Sequence, residues 1–442
     1  MSAPNLDDPD VRAIIDAHPD ADPGDCFFLG ERSGVEYTLR NGMSWPPVSG
    51  WRIEAFAPKP AADAATTAPS AKTAPQSLFK GIEGARAWLA WAVVGTHIAT
   101  YGGVAGRLPH GVWLHIPGDY AVQVFIVISG FVITHLIMTK HEPYGLFIAR
   151  RFLRIFPAYL ICLFAAVIIE PLTVQAVESY KFSDSYQLHD YLVQAQQFHR
   201  NLWEHIAAHL LLLQGVLSNR MLPDSQTMFL PPAWSLSLEW QFYLFAPAWI
   251  YGLVRHPIVT VTASVIAWAL FEHLMSGAYG APSVLPGAAL FFLMGMATRL
   301  VIERAPKLAN YPFAAMIGCA ALILIDKRLI TVVVWAALVA YFQQPRKWAI
   351  LDSPLAKAAG ARSFSVYMIH LPVFFLALAA ADRLMPNQFW PVVVFSGLVT
   401  VLGTLICSEL LFRYVETPAI NFARTIGDRR APIGPAAERS GW

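Results

Sequence analysis

The sequence predicts an all-α membrane protein: a polytopic helical bundle with about ten transmembrane helices and an N-terminal cytoplasmic extension. Hydrophobic residues make up 56% of the 442 residues, charged residues make up only 14%, and the mean hydropathy is +0.46. These values exclude an ordinary soluble enzyme. Apolar stretches close to the roughly 20 residues that cross a bilayer recur along the chain, which indicates helical spans. Strands of a β-barrel would instead alternate in polarity over about ten residues.

The apolar stretches divide the chain into four regions. Residues 1–56 are polar and predict a small N-terminal cytoplasmic region, in which the acidic start of DDPDVRAIIDAH favours a helix N-terminus. Residues 57–79 are rich in Ala, Pro and Thr and predict an extended linker. Residues 80–422 contain the predicted spans and form the membrane domain. Residues 423–442 are predicted to form a cytoplasmic C-terminal tail.

The predicted spans are 84–104, 119–138, 155–174, 238–254, 257–275, 284–302, 309–325, 329–344, 363–382 and 390–412. With the N-terminus inside, Lys and Arg are denser in the inner loops and the C-terminal tail than in the outer loops, so the positive-inside rule places both termini in the cytoplasm. The net charge of +2 suggests no polyanion-binding surface and therefore no nucleic-acid partner. The four cysteines are scattered, without a CxxC pattern, and no metal site is predicted.

The first span contains an ionisable pair, Arg86 and His97, eleven positions apart. Eleven residues of helix turn through about three full turns and rise about 16 Å, so both side chains lie on one face. Arg86 is then near one membrane surface and His97 near mid-bilayer. Ionisable groups at such depth usually face a wet cavity or the protein interior, which favours a functional site. Snorkelling of the arginine and a hydrogen bond of the histidine to a neighbouring helix are the alternative.

An arginine cluster follows the second span in FIARRFLRIFPAYL and comprises Arg150, Arg151 and Arg154. Residues three apart share a helix face, so Arg151 and Arg154 can bind one anion together. Guanidinium groups suit phosphates, and the cytoplasmic position suggests a phosphorylated donor that arrives from inside. Setting the topology or binding lipid headgroups is the alternative role.

The fourth span opens with PPAWSLSLEWQFYLFAP, in which Glu239 and Tyr243 share a face. A carboxylate just inside a span needs an Arg, a His or a substrate hydroxyl as partner. Because this helix runs from outside to inside, we expect Glu239 to orient the acceptor or the His97 ring from the outer half. Trp234, at the start of the span, is predicted to contact substrate together with Tyr243.

Three further motifs contain polar or small residues within spans. GDYAVQVFIVISGFVIT contains Ser129 and Gly130, a small pair that favours close helix packing. GARSFSVYMIHLPV places His370 in the middle of the ninth span, where we expect substrate contact. FRYVETPAINF places Arg413 and Glu416 three residues apart, which predicts a structural ion pair.

The outer loop from 175 to 237 is the longest connection, with a short apolar run at 206–217 that is predicted to be re-entrant or to lie against the bundle. Its polar side chains suit contact with a hydroxyl-rich substrate, although a solvated loop is the simpler interpretation. They are His189, His199, Glu204, His205, His209, Asp224 and Gln226.

Taken in order, these motifs resemble the acyltransferase-3 family of integral membrane acyltransferases. The resemblance rests on IEGARAWLAWAVVGTH, VFIVISGFVIT, ARRFLRIFPAYL, WSLSLEWQFYL, SFSVYMIHLPV and FRYVETP, and it covers about residues 80–422. It implies a protein of the bacterial inner membrane that transfers an acyl group, commonly acetyl from acetyl-coenzyme A, to a hydroxyl of an extracytoplasmic polysaccharide or lipid-linked sugar. The acyl donor is then a co-substrate, and no metal is implied.

The resemblance implies a role for each candidate residue. Arg150, Arg151 and Arg154 are expected to bind the coenzyme, with Arg86 nearer the thioester, while His97 acts as general base or, alternatively, carries the acyl group. The catalytic set is therefore His97, Arg86 and Glu239, and the substrate-binding set is Trp234, Tyr243 and His370. Other readings remain open: another acyl donor, a small-molecule acceptor, or a proton-coupled transporter that uses His97, Glu239 and His370 as a relay.

Overall fold

The computed structural model describes residues 9–17, 26–32, 35–41, 51–56, 81–104, 107, 116–140, 142–180, 201–303, 318, 329–343 and 351–428. The α-helices in these ranges are α1 (Pro9–Ala17), α2 (Ile82–Tyr101), α3 (Ile116–Lys140), α4 (Tyr144–Ser179), α5 (Leu202–Leu210), α6 (Ala233–Arg255), α7 (Pro257–Leu274), α8 (Ala289–Glu303), α9 (Leu329–Gln343), α10 (Pro354–Ala361), α11 (Ser363–Leu384), α12 (Phe389–Leu411) and α13 (Thr417–Asp428). Short 3₁₀ helices cover Ser276–Ala278 and Leu285–Ala288, and a π-helix covers Phe412–Glu416.

The N-terminal region contains a helix and a small sheet. Helix α1 begins at Pro9, a residue suited to the first helical position, within the acidic segment that predicted a helix start. Three antiparallel strands follow in the order β1 (Cys26–Arg32), β2 (Val35–Asn41) and β3 (Trp51–Phe56), with Cys26 opposite Arg40 and Asn41 opposite Trp51. The sequence predicted no strands here. The predicted linker 57–79 lies outside the described residues.

The membrane part is helical in every described range, which confirms the all-α polytopic class. Within the described residues, six helices are long and apolar enough to cross a membrane: Gly118–Lys140, Tyr144–Ser179, Pro257–Leu274, Leu285–Ile302, Ser363–Leu384 and Phe389–Ile426. Helices α2 and α6 reach a similar length but contain Arg86 and Glu239 and are less apolar, while α9 is apolar but shorter. The span predicted at 309–325 falls outside the described residues, so the count of ten stays a prediction.

Helix α4 is longer than the span predicted at 155–174. It runs for 36 residues and includes the whole arginine cluster in its first turns. The apolar pattern alone set the boundary too late, because charged residues at the end of a span lower its hydropathy although the backbone continues as helix. The arginines are therefore held on a rigid helix that continues into the bundle, and residues three apart keep the same face.

Glycines allow α3 and α8 to pack closely. A side chain at Gly130 would collide with the carbonyl oxygen of Phe292, and one at Gly295 would collide with that of Val127. Each glycine thus lies against the backbone of the other helix, which is a common device where helices meet in membranes. The close packing predicted for Ser129 and Gly130 is confirmed at Gly130, whereas the Ser129 hydroxyl faces a cavity.

We expect Gly295→Ala to destabilise the bundle, because the added methyl group meets backbone that cannot move without separating the helices. Overpacking of this kind costs about 1–3 kcal/mol. Thermal unfolding of the purified protein in detergent measures the effect. Gly145→Ala is the matched control, since Gly145 lies in the first turn of α4 with open space around it. Equal unfolding temperatures of the two variants would contradict this packing.

The ion pair predicted between Arg413 and Glu416 is wrong. Arg413 instead pairs with Glu409, at 2.9 Å, and Glu409 also pairs with Arg362. Glu416 is 2% exposed and accepts a hydrogen bond from the Ser365 hydroxyl at 2.9 Å. The π-helix Phe412–Glu416 explains the difference, because its wider turn changes which residues share a face.

The described part of the outer loop, residues 201–232, packs tightly and contains three non-glycine residues with positive φ: Leu212, Asp224 and Phe229. The His209 ring is buried with its nitrogens 2.8 Å and 3.0 Å from the backbone oxygens of His205 and Met228, and burial lowers the pKa of His209 to about 4. The ring therefore has a structural role.

Gln226 is also structural. Its Nε2 donates to Leu217 and Asn219, while its Oε1 accepts from the backbone of Gly280 and Ala281. The expectation that His205, His209 and Gln226 contact substrate is thus corrected, since all three are buried in the packing of the loop. His189 and His199 lie outside the described residues.

Candidate active site

Two adjoining cavities lie inside the bundle. One, here called the arginine cavity, has a volume of about 330 Å³ and is lined by Arg86, Arg151 and Arg154. The other, the histidine cavity, has a volume of about 620 Å³ and is lined by His97. Both cavities share a wall, formed by Val122, Ile126 and Tyr367. Arg86 and His97, which the sequence placed on one helix face, therefore line two adjoining cavities.

The arginine cavity brings residues of α2 and α4 together. Arg151 and Arg154 lie three apart on α4, and Arg86 lies in the first turns of α2. The guanidinium carbon of Arg151 is 5.9 Å from the ring centre of Phe147 and 5.8 Å from that of Tyr243. Its Nε is buried without a hydrogen-bond partner in the described part of the chain. An incoming anion would satisfy that donor, since unpaired buried donors are costly.

Two carboxylates balance part of this positive charge. Glu239 lines the cavity and accepts hydrogen bonds from the Tyr243 hydroxyl and from the Ser129 hydroxyl, the latter at 3.2 Å. Glu416 interacts electrostatically with Arg154 and Arg86. Three guanidinium groups facing two carboxylates leave an excess of positive charge, which suits an anionic ligand.

Arg150 does not take part in the cavity, although the sequence grouped it with Arg151 and Arg154 as a donor-binding residue. Its guanidinium pairs with Glu142 and donates to the backbone oxygen of Ala423 at 3.2 Å. It therefore ties the start of α4 to α13. Helical spacing does not predict this, because Arg150 lies four residues before Arg154 and on nearly the same face, and only the contacts with Glu142 and Ala423 hold its guanidinium away from the cavity.

In the histidine cavity, the His97 ring stacks on the His370 ring, with 5.0 Å between centroids and an interplanar angle of 9°. The Nδ1 atom of His97 is 2.7 Å from Nε2 of His370, and Nδ1 of His370 is 3.3 Å from the backbone oxygen of Val366. Neutral imidazole has one N–H. If His370 donates from Nδ1 to Val366, its Nε2 accepts from Nδ1 of His97. Nε2 of His97 then has the free lone pair that a general base needs.

The helix that carries His97 ends soon after it. Helix α2 spans Ile82–Tyr101, so His97 lies four residues before the end rather than near the middle. Around the ring, the histidine cavity is lined by Thr96, Asp119, Gln123 and Trp234. The Thr96 hydroxyl is buried without a hydrogen-bond partner in the described residues. A cavity with an indole face and several hydroxyl, amide and carboxylate groups suits a polar, hydroxyl-bearing ligand.

The predicted substrate-binding residues divide between the two cavities. Trp234 lines the histidine cavity, Tyr243 lines the arginine cavity, and His370 is fully buried behind His97. Glu239 lies with the arginines, whereas we had expected it to face the acceptor or the His97 ring. The sequence placed Glu239 by its position along α6, but its side chain points to α3 and α4, and only the packing of those helices determines which cavity it meets.

We expect Glu239→Gln to tighten coenzyme A binding, because the change removes a negative charge beside the arginines and keeps a hydrogen-bond acceptor for Tyr243. Two unit charges about 12 Å apart interact by roughly 1 kcal/mol at an effective dielectric constant near 20, so loss of a carboxylate that lines the donor cavity is expected to change affinity several-fold. Titration calorimetry with coenzyme A at low and high salt measures it. Glu204→Gln, on the exposed side of α5, is the matched control. Unchanged binding with a loss of acyl transfer would instead support the acceptor role expected from the sequence.

Sequence reasoning did not select Tyr367 or Ser235 as site residues. Tyr367 is part of the wall between the cavities, and its hydroxyl contacts that of Ser235 at 2.8 Å. One signal was available for Tyr367. It lies three residues before His370 on α11, so the two side chains share a helix face, and a prediction that His370 faces the site includes Tyr367. A similar signal was available for Ser235, which lies four residues before Glu239 on α6 and so shares its face.

These features define a multi-pass helical membrane protein with a buried, two-chambered polar site. The model of the acyltransferase-3 family, described as an acyltransferase domain, matches residues 79–409. Because this match covers most of the chain, the protein belongs to the acyltransferase-3 family. The resemblance stated from the motifs is thereby confirmed.

Two curated relatives are similar to the chain. Acyltransferase MdmB of Streptomyces mycarofaciens is 33% identical over 177 residues, which are 39% of this chain and 39% of MdmB. Peptidoglycan O-acetyltransferase OatA of Listeria monocytogenes is 24% identical over 341 residues, 68% of this chain and 51% of OatA. The matched regions thus span about two fifths and about half of these relatives. No solved structure matches.

Proposed function

We propose that the protein is an integral membrane O-acyltransferase that moves an acetyl group from cytoplasmic acetyl-coenzyme A to a hydroxyl of an extracytoplasmic polysaccharide or glycolipid. The observation that carries the proposal is the pair of adjoining cavities, one lined by three arginines and the other by His97. Family membership and the similarity to a peptidoglycan O-acetyltransferase support it. Because the matches cover only part of the relatives, the substrates are inferred from the site.

The donor binds in the arginine cavity. Arg151 and Arg154 face the phosphates, for which planar guanidinium groups are well suited, and Arg86 lines the same cavity. The apolar residues of the same cavity, such as Val132 and Ile133, contact the flexible arm that leads to the thioester. The acyl carbon then reaches the wall formed by Val122, Ile126 and Tyr367, beyond which the histidine cavity begins.

The acceptor binds in the histidine cavity with one hydroxyl at Nε2 of His97. That nitrogen takes the hydroxyl proton while the oxygen attacks the thioester carbonyl carbon. When the carbon–sulfur bond breaks, the leaving thiolate receives the same proton from His97. The products are an acyl ester and coenzyme A thiol, and the base returns to its neutral form. His370 positions the ring through the hydrogen bond at Nδ1.

The two cavities open toward different sides in this proposal. Arg86 is near the start of α2, and α4 begins with the cluster that contains Arg151 and Arg154, so the positive-inside rule places the arginine cavity toward the cytoplasm. His97, near the other end of α2, then faces the outside. In a bacterial inner membrane with both termini in the cytoplasm, this arrangement brings a cytoplasmic donor to an external acceptor.

The direct test is release of coenzyme A thiol by the purified full-length protein in lipid nanodiscs, with acetyl-, propionyl- and butyryl-coenzyme A as donors. Mass analysis of envelope glycans from cells with and without the protein identifies the acceptor by a mass increment of one acyl group. A preference for propionyl or butyryl would support another donor, and an acylated small molecule would support another acceptor. Proton uptake without thiol release would contradict the proposal and favour a transporter.

A further inference from the structure

Three oxygen atoms meet at the wall between the two cavities. The Tyr367 hydroxyl is 2.8 Å from the Ser235 hydroxyl and 3.2 Å from the backbone oxygen of Pro232, and the Ser235 hydroxyl is 3.0 Å from that same backbone oxygen. Tyr367 lines both cavities, Ser235 lines the arginine cavity and Pro232 lines the histidine cavity. This triangle therefore lies where a donor thioester and an acceptor hydroxyl would meet.

The triangle has more contacts than protons. Each hydroxyl supplies one proton and the carbonyl supplies none, so two protons serve three oxygen–oxygen contacts. One contact is always without a hydrogen bond. Either hydroxyl can hydrogen-bond the Pro232 oxygen while the other turns toward a new acceptor. A ligand oxygen at the wall thus gains a donor without leaving the backbone carbonyl unpaired, which avoids the usual cost of breaking a buried hydrogen bond.

We propose that Tyr367 and Ser235 form an oxyanion site that holds the thioester carbonyl oxygen during acyl transfer. The proposal rests on the function proposed above and adds catalytic residues to it. As the acceptor oxygen bonds to the acyl carbon and its proton moves to His97, the carbonyl π electron pair moves onto the carbonyl oxygen. One of the two hydroxyls donates a hydrogen bond to that oxygen, while the other keeps its hydrogen bond to the Pro232 backbone oxygen. The electron pair returns when the carbon–sulfur bond breaks and the thiolate takes the proton.

Neighbouring features favour negative charge at this position. Helix α6 begins at Ala233, next to Pro232, so the positive end of its dipole lies beside the triangle. The Glu239 carboxylate opposes that charge, and hydrogen bonds from Tyr243 and Ser129 hold it in place. The Tyr367 ring is buried and packs edge-on against Phe125, with 6.2 Å between centroids. A donor fixed in this way needs little reorganisation as charge develops, which is the property that makes oxyanion sites effective.

A purely structural role predicts a different behaviour. If the triangle only ties α6 to α11 and seals the wall, its loss admits water to the thioester. Coenzyme A thiol would then be released without an equal amount of acyl ester. An oxyanion role predicts that thiol release and ester formation fall together, since both depend on the same tetrahedral intermediate. The ratio of ester to thiol separates the two roles.

The test uses the full-length protein with Tyr367→Phe, Ser235→Ala and the double variant. Removal of an oxyanion donor typically costs about 10²–10³ in turnover. We expect about tenfold loss for each single variant, because the other hydroxyl remains, and about 10²-fold or more for the double variant. Binding of coenzyme A, which has no acyl carbonyl, is expected to stay unchanged, as is the ratio of ester to thiol. Ser235→Thr, which keeps a hydroxyl, is expected to restore most of the activity.

Tyr279→Phe is the matched control, because the Tyr279 hydroxyl donates to the Val216 oxygen at 3.2 Å and lines neither cavity. Double-variant transfer within twofold of wild type would overturn the proposal, and so would a falling ratio of ester to thiol. If Tyr367→Phe does not fold, Ser235→Ala and Ser235→Thr decide by the same criteria. Absence of thiol release by the wild type would instead overturn the proposed function itself.

Discussion

His97→Ala is expected to abolish acyl transfer while the protein still inserts and folds. General base catalysis contributes typically 10²–10⁴-fold, and no other described side chain offers a free imidazole lone pair to the histidine cavity. Thiol release and ester formation by purified protein measure the loss. His273→Ala, an exposed histidine on α7, is the matched control. Transfer at the wild-type rate by His97→Ala would remove the residue from the mechanism.

The pH profile and His370 variants test the same base. Transfer is expected to decrease as the pH falls and His97 becomes protonated, because an imidazolium has no lone pair to accept the hydroxyl proton. His370→Gln keeps an acceptor for the N–H at Nδ1 of His97, whereas His370→Leu removes it. We expect clearly higher activity for the Gln variant. Equal or greater activity of the Leu variant would show that His370 does not position the base.

Arg151→Ala and Arg154→Ala are each expected to weaken coenzyme A binding by about 10- to 100-fold, since a hydrogen bond to a charged group contributes roughly 1.5–3 kcal/mol. Lys at either position keeps the charge but loses the two-pronged geometry, so a smaller weakening is expected. Titration calorimetry measures both. The effect should diminish at high salt, because ions screen the attraction between the phosphates and the arginines.

Arg150→Lys tests whether Arg150 has a structural role, as its contacts indicate, or binds the donor, as the sequence predicted. Arg150 pairs with Glu142 and with the backbone of α13, outside the arginine cavity. Its substitution is therefore expected to lower the unfolding temperature but to leave coenzyme A affinity unchanged. Equal losses of affinity at Arg150, Arg151 and Arg154 would mean that all three arginines bind the donor, as the sequence predicted.

The local sequence pattern was sufficient to predict several features of this protein. Hydropathy over about 20 residues located helices that the structure confirms, and the helical period placed Arg86 and His97 toward adjoining cavities. The spacing of Arg151 and Arg154 placed both in one cavity for the same reason. The start of α4 was predicted less well, because charged residues in its first turns lower the hydropathy there although the backbone is already helical.

Other features depended on which helices pack together and at what rotation. The contact between His97 and His370 joins residues 273 positions apart, and the carboxylate of Glu239 meets the arginines only because α3, α4 and α6 enclose one cavity. A π-helix turned Glu416 toward Ser365 and away from Arg413. The sequence by itself therefore determined the class of fold and the faces of individual helices, since both follow from interactions within a few turns. Tertiary structure alone decided which faces meet, because close packing between distant helices sets the position of every side chain in the site.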